Sequence, residues 1–147
     1  MRRPSIEEKF VNTQEASTEE VQRRTLTAFS AAWDAGDVDT LLSLMSDNPV
    51  YRGSTGPEAG TKFEGREAVA AAFTRMIGPT PASTSAASDA LSVPPTMYFF
   101  GDHALVHWCL KFPNPDGEPC DVDGVDVMTF DRDGRIVEKN AFRKAFA

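Results

Sequence analysis

The chain has 147 residues, 41% of them hydrophobic and 25% charged, a balance that suits one globular domain around one core. Its 22 acids against 15 bases leave a net charge of −7. A surface of that sign argues against nucleic acid and against anionic membranes as partners.

No apolar run approaches the roughly 20 residues of a membrane span. The N-terminus MRRPSIEEKF has two arginines with no apolar stretch behind them, so no signal peptide is read and a cytoplasmic location is expected. Residues 1–16 are polar and without a clear period. They are read as an N-terminal extension, and residues 17–147 as a single domain. Ser17-Thr18-Glu19-Glu20 has the form of a capping box and predicts a helix to about Ala35, stopped by Gly36. Val21, Thr25, Phe29 and Trp33, with Ala28 and Ala32, form its inward stripe. Asp37 is placed to cap a second, short helix through Met45, which Asp47-Asn48-Pro49 breaks. Val50-Tyr51-Arg52 reads as a short strand, Gly53–Gly60 as a loop, and Lys62–Glu64 as a small strand.

A third helix is predicted over Arg66–Ile77, with Val69, Phe73, Met76 and Ile77 toward the core. Residues 79–90 are small, polar and irregular, a length of loop that is often a lid or a disordered segment. Leu91–Phe100 is extended but interrupted by Pro94-Pro95, so it reads as an edge strand or as two pieces. His103–Phe112 alternates cleanly: Val106, Trp108, Leu110 and Phe112 on one side, His107, Cys109 and Lys111 on the other. Cys109 and Cys120 are expected on opposite faces, so no disulfide joins them. No metal-ligand spacing appears, and the Gly-rich loop lacks the phosphate-binding pattern. No metal and no cofactor are expected.

The C-terminal stretch Pro119–Phe142 is the most informative. Asp131-Arg132-Asp133-Gly134 reads as a tight turn between two arms rich in Val, Ile, Phe and Thr. If Phe130 and Arg135 flank that turn, Asp126 stands opposite Lys139 and Val122 opposite Arg143. An acid and a base amid apolar strand residues form either a structural ion pair or the polar end of a pocket. Three helices followed by a run of strands imply an α+β fold, with the helices covering one face of a curved antiparallel sheet. Between the two layers lies a conical hollow of the kind that takes small ligands.

Asp34–Val50 (DAGDVDTLLSLMSDNPV), Glu64–Phe73 (EGREAVAAAF) and the final hairpin resemble a large superfamily of cone-shaped α+β proteins. It includes nuclear transport factor 2, scytalone dehydratase, limonene epoxide hydrolase, SnoaL-like polyketide cyclases and ketosteroid isomerase. The resemblance covers about residues 18–146, and Pro119–Ile136 is especially similar to the isomerase hairpin. It implies a cystatin-like α+β roll and a cofactor-free isomerase, lyase or cyclase type of chemistry. The isomerase uses an Asp base with an oxyanion hole of a Tyr and a protonated Asp. Asp126 matches the hole's Asp, but Phe29 stands at the Tyr position and Gly53 at the base. No ketosteroid isomerase activity is therefore expected. The Lys139 charge favours an ionised Asp126, unlike the neutral acid of the isomerase.

The candidate catalytic groups are Asp126 and Lys139. Phe29, Trp33, Tyr51, Trp108, Met128 and Arg143 are candidate ligand contacts, with Arg143 either holding an anionic group or lying at the pocket mouth in water. The expected ligand is a small, largely apolar organic molecule. A non-catalytic module whose hollow is simply filled core is the alternative. The partly apolar outer face of the hairpin (Val125, Val127, Thr129) needs a cover, and a homodimer through the open sheet face is expected, as several members of the superfamily form.

Overall fold

The computed structural model describes residues 6–77 and 94–146, with side chains from Thr18 onward in the first segment. The expected long loop at 79–90 and the start of the Leu91–Phe100 strand lie outside the described residues. The elements are α1 (Ile6–Ala35), α2 (Val38–Ser43), β1 (Met45–Arg52), β2 (Lys62–Glu64), α3 (Arg66–Ile77), β3 (Thr96–Phe100), β4 (His103–Pro113), β5 (Pro119–Phe130) and β6 (Ile136–Arg143).

α1 begins earlier than the capping box suggests, so Ser17 lies inside a helix rather than at its start. Once nucleated, a helix propagates through good formers without needing an apolar stripe, and Glu, Gln, Lys and Ala fill much of this segment. Arg23 and Arg24 each meet the glutamate one turn back, Glu19 and Glu20. The helix ends as expected at Gly36, at φ 68°. Its N–H donates to the Trp33 carbonyl and that of Asp37 to the Ala32 carbonyl, a Schellman closure. Asp37 then caps α2 by accepting from the Thr40 N–H at 3.1 Å. The helix stops at Ser43, short of the expected Met45.

Asp47-Asn48-Pro49 does not break the chain but is threaded into β1. The register of β1 against β6 shifts between Met45 and Val50. That irregularity accommodates a proline without a ladder N–H, and the Pro49 carbonyl is used by the Gly65 N–H at 2.8 Å.

The six strands run in the order β2-β1-β6-β5-β4-β3, antiparallel except where β1 lies parallel to β6. The sheet is curved and unclosed, with helices on one side. β5 shows why: Val122, Gly124, Asp126, Met128 and Phe130 are buried while the intervening residues are half-exposed. This period of two fixes one face inward. Phe73, Leu26, Leu41, Val69, Met128 and Ile136 are among the fully buried side chains that join helices to sheet; each contributes roughly 1.5–3 kcal/mol by leaving water. Met76, expected in the core, is 47% exposed, although its sulfur is used inside. Cys109 and Cys120 form no disulfide and fall on opposite faces. Among the described residues no helix is long and apolar enough to cross a membrane.

Candidate functional site

The inward face of β4, β5 and β6 is laid out in rows. Trp108, Gly124 and Arg143 form one row; Val106, Asp126 and Ala141 the next; Ala104, Met128 and Lys139 the third. Tyr51 on β1 extends the third row beside Lys139. These registers correct the expected ones, because Asp126 faces Ala141 rather than Lys139 and Arg143 faces Gly124 rather than Val122. Two features cause the difference. Phe130 pairs with Ile136, not Arg135, because Asp131–Arg135 forms a longer loop closed by the Asp131 N–H on the Arg135 carbonyl at 2.9 Å. The Asp131 carboxylate holds the loop by accepting from the Asp133 and Arg135 N–H groups. One pair further out, Thr129 faces Glu138, so Val137 is an extra residue in a bulge. Each one-residue slip alone would turn Lys139 to the other face. Together they restore parity.

Asp126 and Lys139 therefore meet as diagonal neighbours. Lys139 Nζ donates to Asp126 Oδ2 at 2.5 Å. Asp126 is 8% exposed and Lys139 5%, so the pair is inside the cone and not on a wet edge. Lys139 Nζ also lies 5.0 Å from the centre of the Trp33 ring, where the ring face attracts a cation. Asp126 Oδ1 is buried and accepts no hydrogen bond from the described residues. A buried acceptor without a partner is costly.

Aromatic rings build the wall above the pair. Phe29 stacks on Trp33 at 6.2 Å, and both turn edges toward Phe73. Tyr51 packs against Phe73 at 5.1 Å and stacks on Phe63 at 5.8 Å. Its hydroxyl donates to Met76 Sδ at 3.3 Å. Burial of Tyr51 pushes its pKa up to about 12; the Asp126 charge adds to the rise and the Arg143 charge opposes it. The phenol thus senses both charged side chains. Trp108 lies flat across Gly124, where a Cβ would come within 2.0 Å of the indole. The Arg143 guanidinium sits 4.8 Å above the Phe112 ring, and its Nε is buried without a hydrogen-bond partner among the described residues.

The structure thus gathers Asp126, Lys139, Trp33, Tyr51, Met128, Trp108 and Arg143 on or over one concave face. Phe29 belongs to the same aromatic wall and is 4% exposed. Phe73, which touches three of these rings, and Phe112, which carries Arg143, were missed as site residues. Phe73 sat in the inward stripe of α3, and Phe112 shares the inward parity of Trp108, so each had a readable signal. Gly53 closes the comparison: the space beside its Cα looks onto the Tyr51 hydroxyl at 3.7 Å, with no carboxylate at that position. His107 lies on the outer face, beside Asp123. Among the described residues no three His, Cys, Asp or Glu side chains are arranged to hold a metal ion.

The model of the SnoaL-like domain matches residues 26–139, and the chain belongs to the SnoaL-like family. Its solved neighbours carry the nuclear transport factor 2-like fold. Bal32a, from a soil-derived mobile gene cassette, is 21% identical with a TM-score of 0.66, over 86% of this chain and 91% of its own. A putative isomerase from Bacillus subtilis is 22% identical with a TM-score of 0.62, over 86% and 88%. The epoxide hydrolase/cyclase-like enzyme SalBIII, described in pyran ring formation in the polyether salinomycin, is 19% identical with a TM-score of 0.63, over 86% and 92%. No curated protein matches the sequence. At these identities the likeness shows the fold alone. That fold includes cyclases and isomerases and is known to bind small molecules, so it suggests ligand binding or catalysis without naming a reaction.

Proposed function

We propose that the cone binds a small, largely apolar organic molecule and acts on it without a cofactor, as a lyase, cyclase or isomerase. Asp126 is the acid/base or electrostatic group, and Lys139 sets its charge. The observation that carries this reading is the buried Asp126 carboxylate with one oxygen on Lys139 and the other unpartnered. A ligand hydroxyl or an acidic C–H brought to Oδ1 would meet a base shielded from water, where electrostatic interactions are strongest. Phe29, Trp33, Tyr51, Trp108 and Met128 supply the apolar wall. True ketosteroid isomerisation is outside the proposal, since Phe29 has no hydroxyl and Gly53 no base.

The contact of Lys139 with Trp33 favours a second reading, a binding or interaction module whose hollow is filled by its own rings. Native mass spectrometry of the purified protein separates the two. A small organic molecule retained by the wild type and released from the Asp126→Asn variant supports the ligand site. An empty wild type that also takes up no hydrophobic probe supports the filled core.

The partly apolar outer face, with Tyr98 and Phe142 exposed beside Val125 and Val127, supports a homodimer through the open sheet as part of the same reading. The acidic net charge and the two cysteines outside any disulfide support a cytoplasmic location.

A further inference from the structure

We infer that the ligand carries a carboxylate and that Arg143 is its seat. This deepens the reading above and rests on it, because it assigns the chemical class of the molecule bound in the cone. The inward positions of β4, β5 and β6 hold one acid, Asp126, and two bases, Lys139 and Arg143. Asp126 faces Ala141, and Lys139 and Arg143 flank that alanine on the same face. The carboxylate therefore had a choice of two cations one diagonal away, and it is committed to Lys139.

Arg143 is left without an acid among the described residues. A ring holds it instead, at 4.8 Å over Phe112, and its Nε is buried with no hydrogen-bond partner. A half-buried guanidinium in that state has donors to offer and a net positive charge around it. Its planar fork matches a carboxylate by two parallel hydrogen bonds. The Arg143 charge opposes the rise in the Tyr51 pKa that burial causes. An anionic group on Arg143 would place the apolar body of the ligand along Trp108, toward Asp126 and Met128.

Two probes of nearly equal shape test this by calorimetry, 2-naphthoate and neutral 2-naphthylmethanol. A charge-assisted hydrogen bond is worth about 1.5–3 kcal/mol, which is about tenfold or more in affinity. The wild type should prefer 2-naphthoate by at least that factor, and added salt should shrink the preference. In Arg143→Gln the carboxylate should bind no better than the alcohol. Arg143→Lys, which keeps the charge but not the fork, should fall between. Equal affinities in the wild type overturn the carboxylate assignment while leaving ligand binding intact, and so does a preference that survives Arg143→Gln. If neither probe binds, the ligand-binding reading itself fails and takes this inference with it. The wild-type comparison decides the matter even if a variant folds poorly.

Discussion

Asp126 and Lys139 are not cross-strand partners, yet Lys139 Nζ lies 2.5 Å from Asp126 Oδ2. A five-residue loop and a bulge at Val137 displace β6 by two residues against β5, and a displacement of two leaves every side chain on its face. The carboxylate reaches back along the strand to its ammonium rather than across to Ala141. Among the described residues its second oxygen is left unpartnered, and Arg143 is left without an acid.

A buried pair loses most when it is halved. Asp126→Asn leaves Lys139 buried at 5% exposure without a counter-charge, and should cost about 3–5 kcal/mol. Replacing both as Asp126→Leu with Lys139→Met should recover most of that loss, because well-packed apolar residues often replace such a pair at no net cost. Urea unfolding of Asp126→Asn, of Asp126→Leu and Lys139→Met singly, and of the double variant checks this. Additive losses in the double variant would show that the pair is not one unit.

Tyr51 gives a prediction in pH. Its pKa is raised from 10.0 to about 12 by burial first and by Asp126 second. Above pH 10 the unfolded chain loses the phenolic proton while the folded chain keeps it, so unfolding becomes easier. The associated stability is fully present below pH 10 and is lost as pH rises through about 12. Two pKa units correspond to on the order of 2–3 kcal/mol. Tyr98→Phe leaves Tyr51 as the single tyrosine, so phenolate absorbance reads it directly. Titration of that variant near pH 10 would contradict the buried placement.

Gly124 tests the Trp108 wall. A Cβ there would meet the indole at 2.0 Å, so Gly124→Ala must move the ring. The expected loss is about 1–3 kcal/mol, with a red shift of tryptophan emission. An unchanged unfolding midpoint and spectrum would place the indole elsewhere.

The hairpin turn tests its docking on α1. Gly134 has φ 79°, and a Cβ there would lie 2.3 Å from Val21 Cγ1. Its carbonyl also accepts from the Thr25 hydroxyl at 2.9 Å. Gly60 has a similar φ of 70° but nothing within 4 Å. Gly60→Ala should therefore show backbone strain alone, on the order of 1–2 kcal/mol, and Gly134→Ala distinctly more. Equal losses in chemical denaturation would mean that the turn does not press on the helix.

Much of this arrangement was legible because a strand has a period of two. The alternation in β4 and β5 fixes Trp108, Asp126 and Met128 on one face whatever the pairing, and Lys139 follows if its slip is even. The size of the slip was not legible. Loop closure by the Asp131 side chain and the bulge at Val137 depend on hydrogen bonds that no residue preference specifies. The neighbourhood of Tyr51 was hidden for another reason. β1 pairs with β6 across the whole length of the domain, and parallel partners far apart in sequence leave no local pattern. The helical stripe on α1 showed Phe29 and Trp33 facing inward, but not that Trp33 would cover Lys139. The early start of α1 was hidden because propagation needs only good helix formers.

The central claim is that Asp126 Oδ1 faces the ligand. The side-chain carboxyl carbon of Asp126, followed by nuclear magnetic resonance while 2-naphthylmethanol is added, reads that oxygen directly. A saturable shift of this resonance, tracking the binding isotherm, is the expected result. Saturable binding that leaves the resonance unmoved would put the ligand elsewhere and leave Asp126 and Lys139 a structural pair.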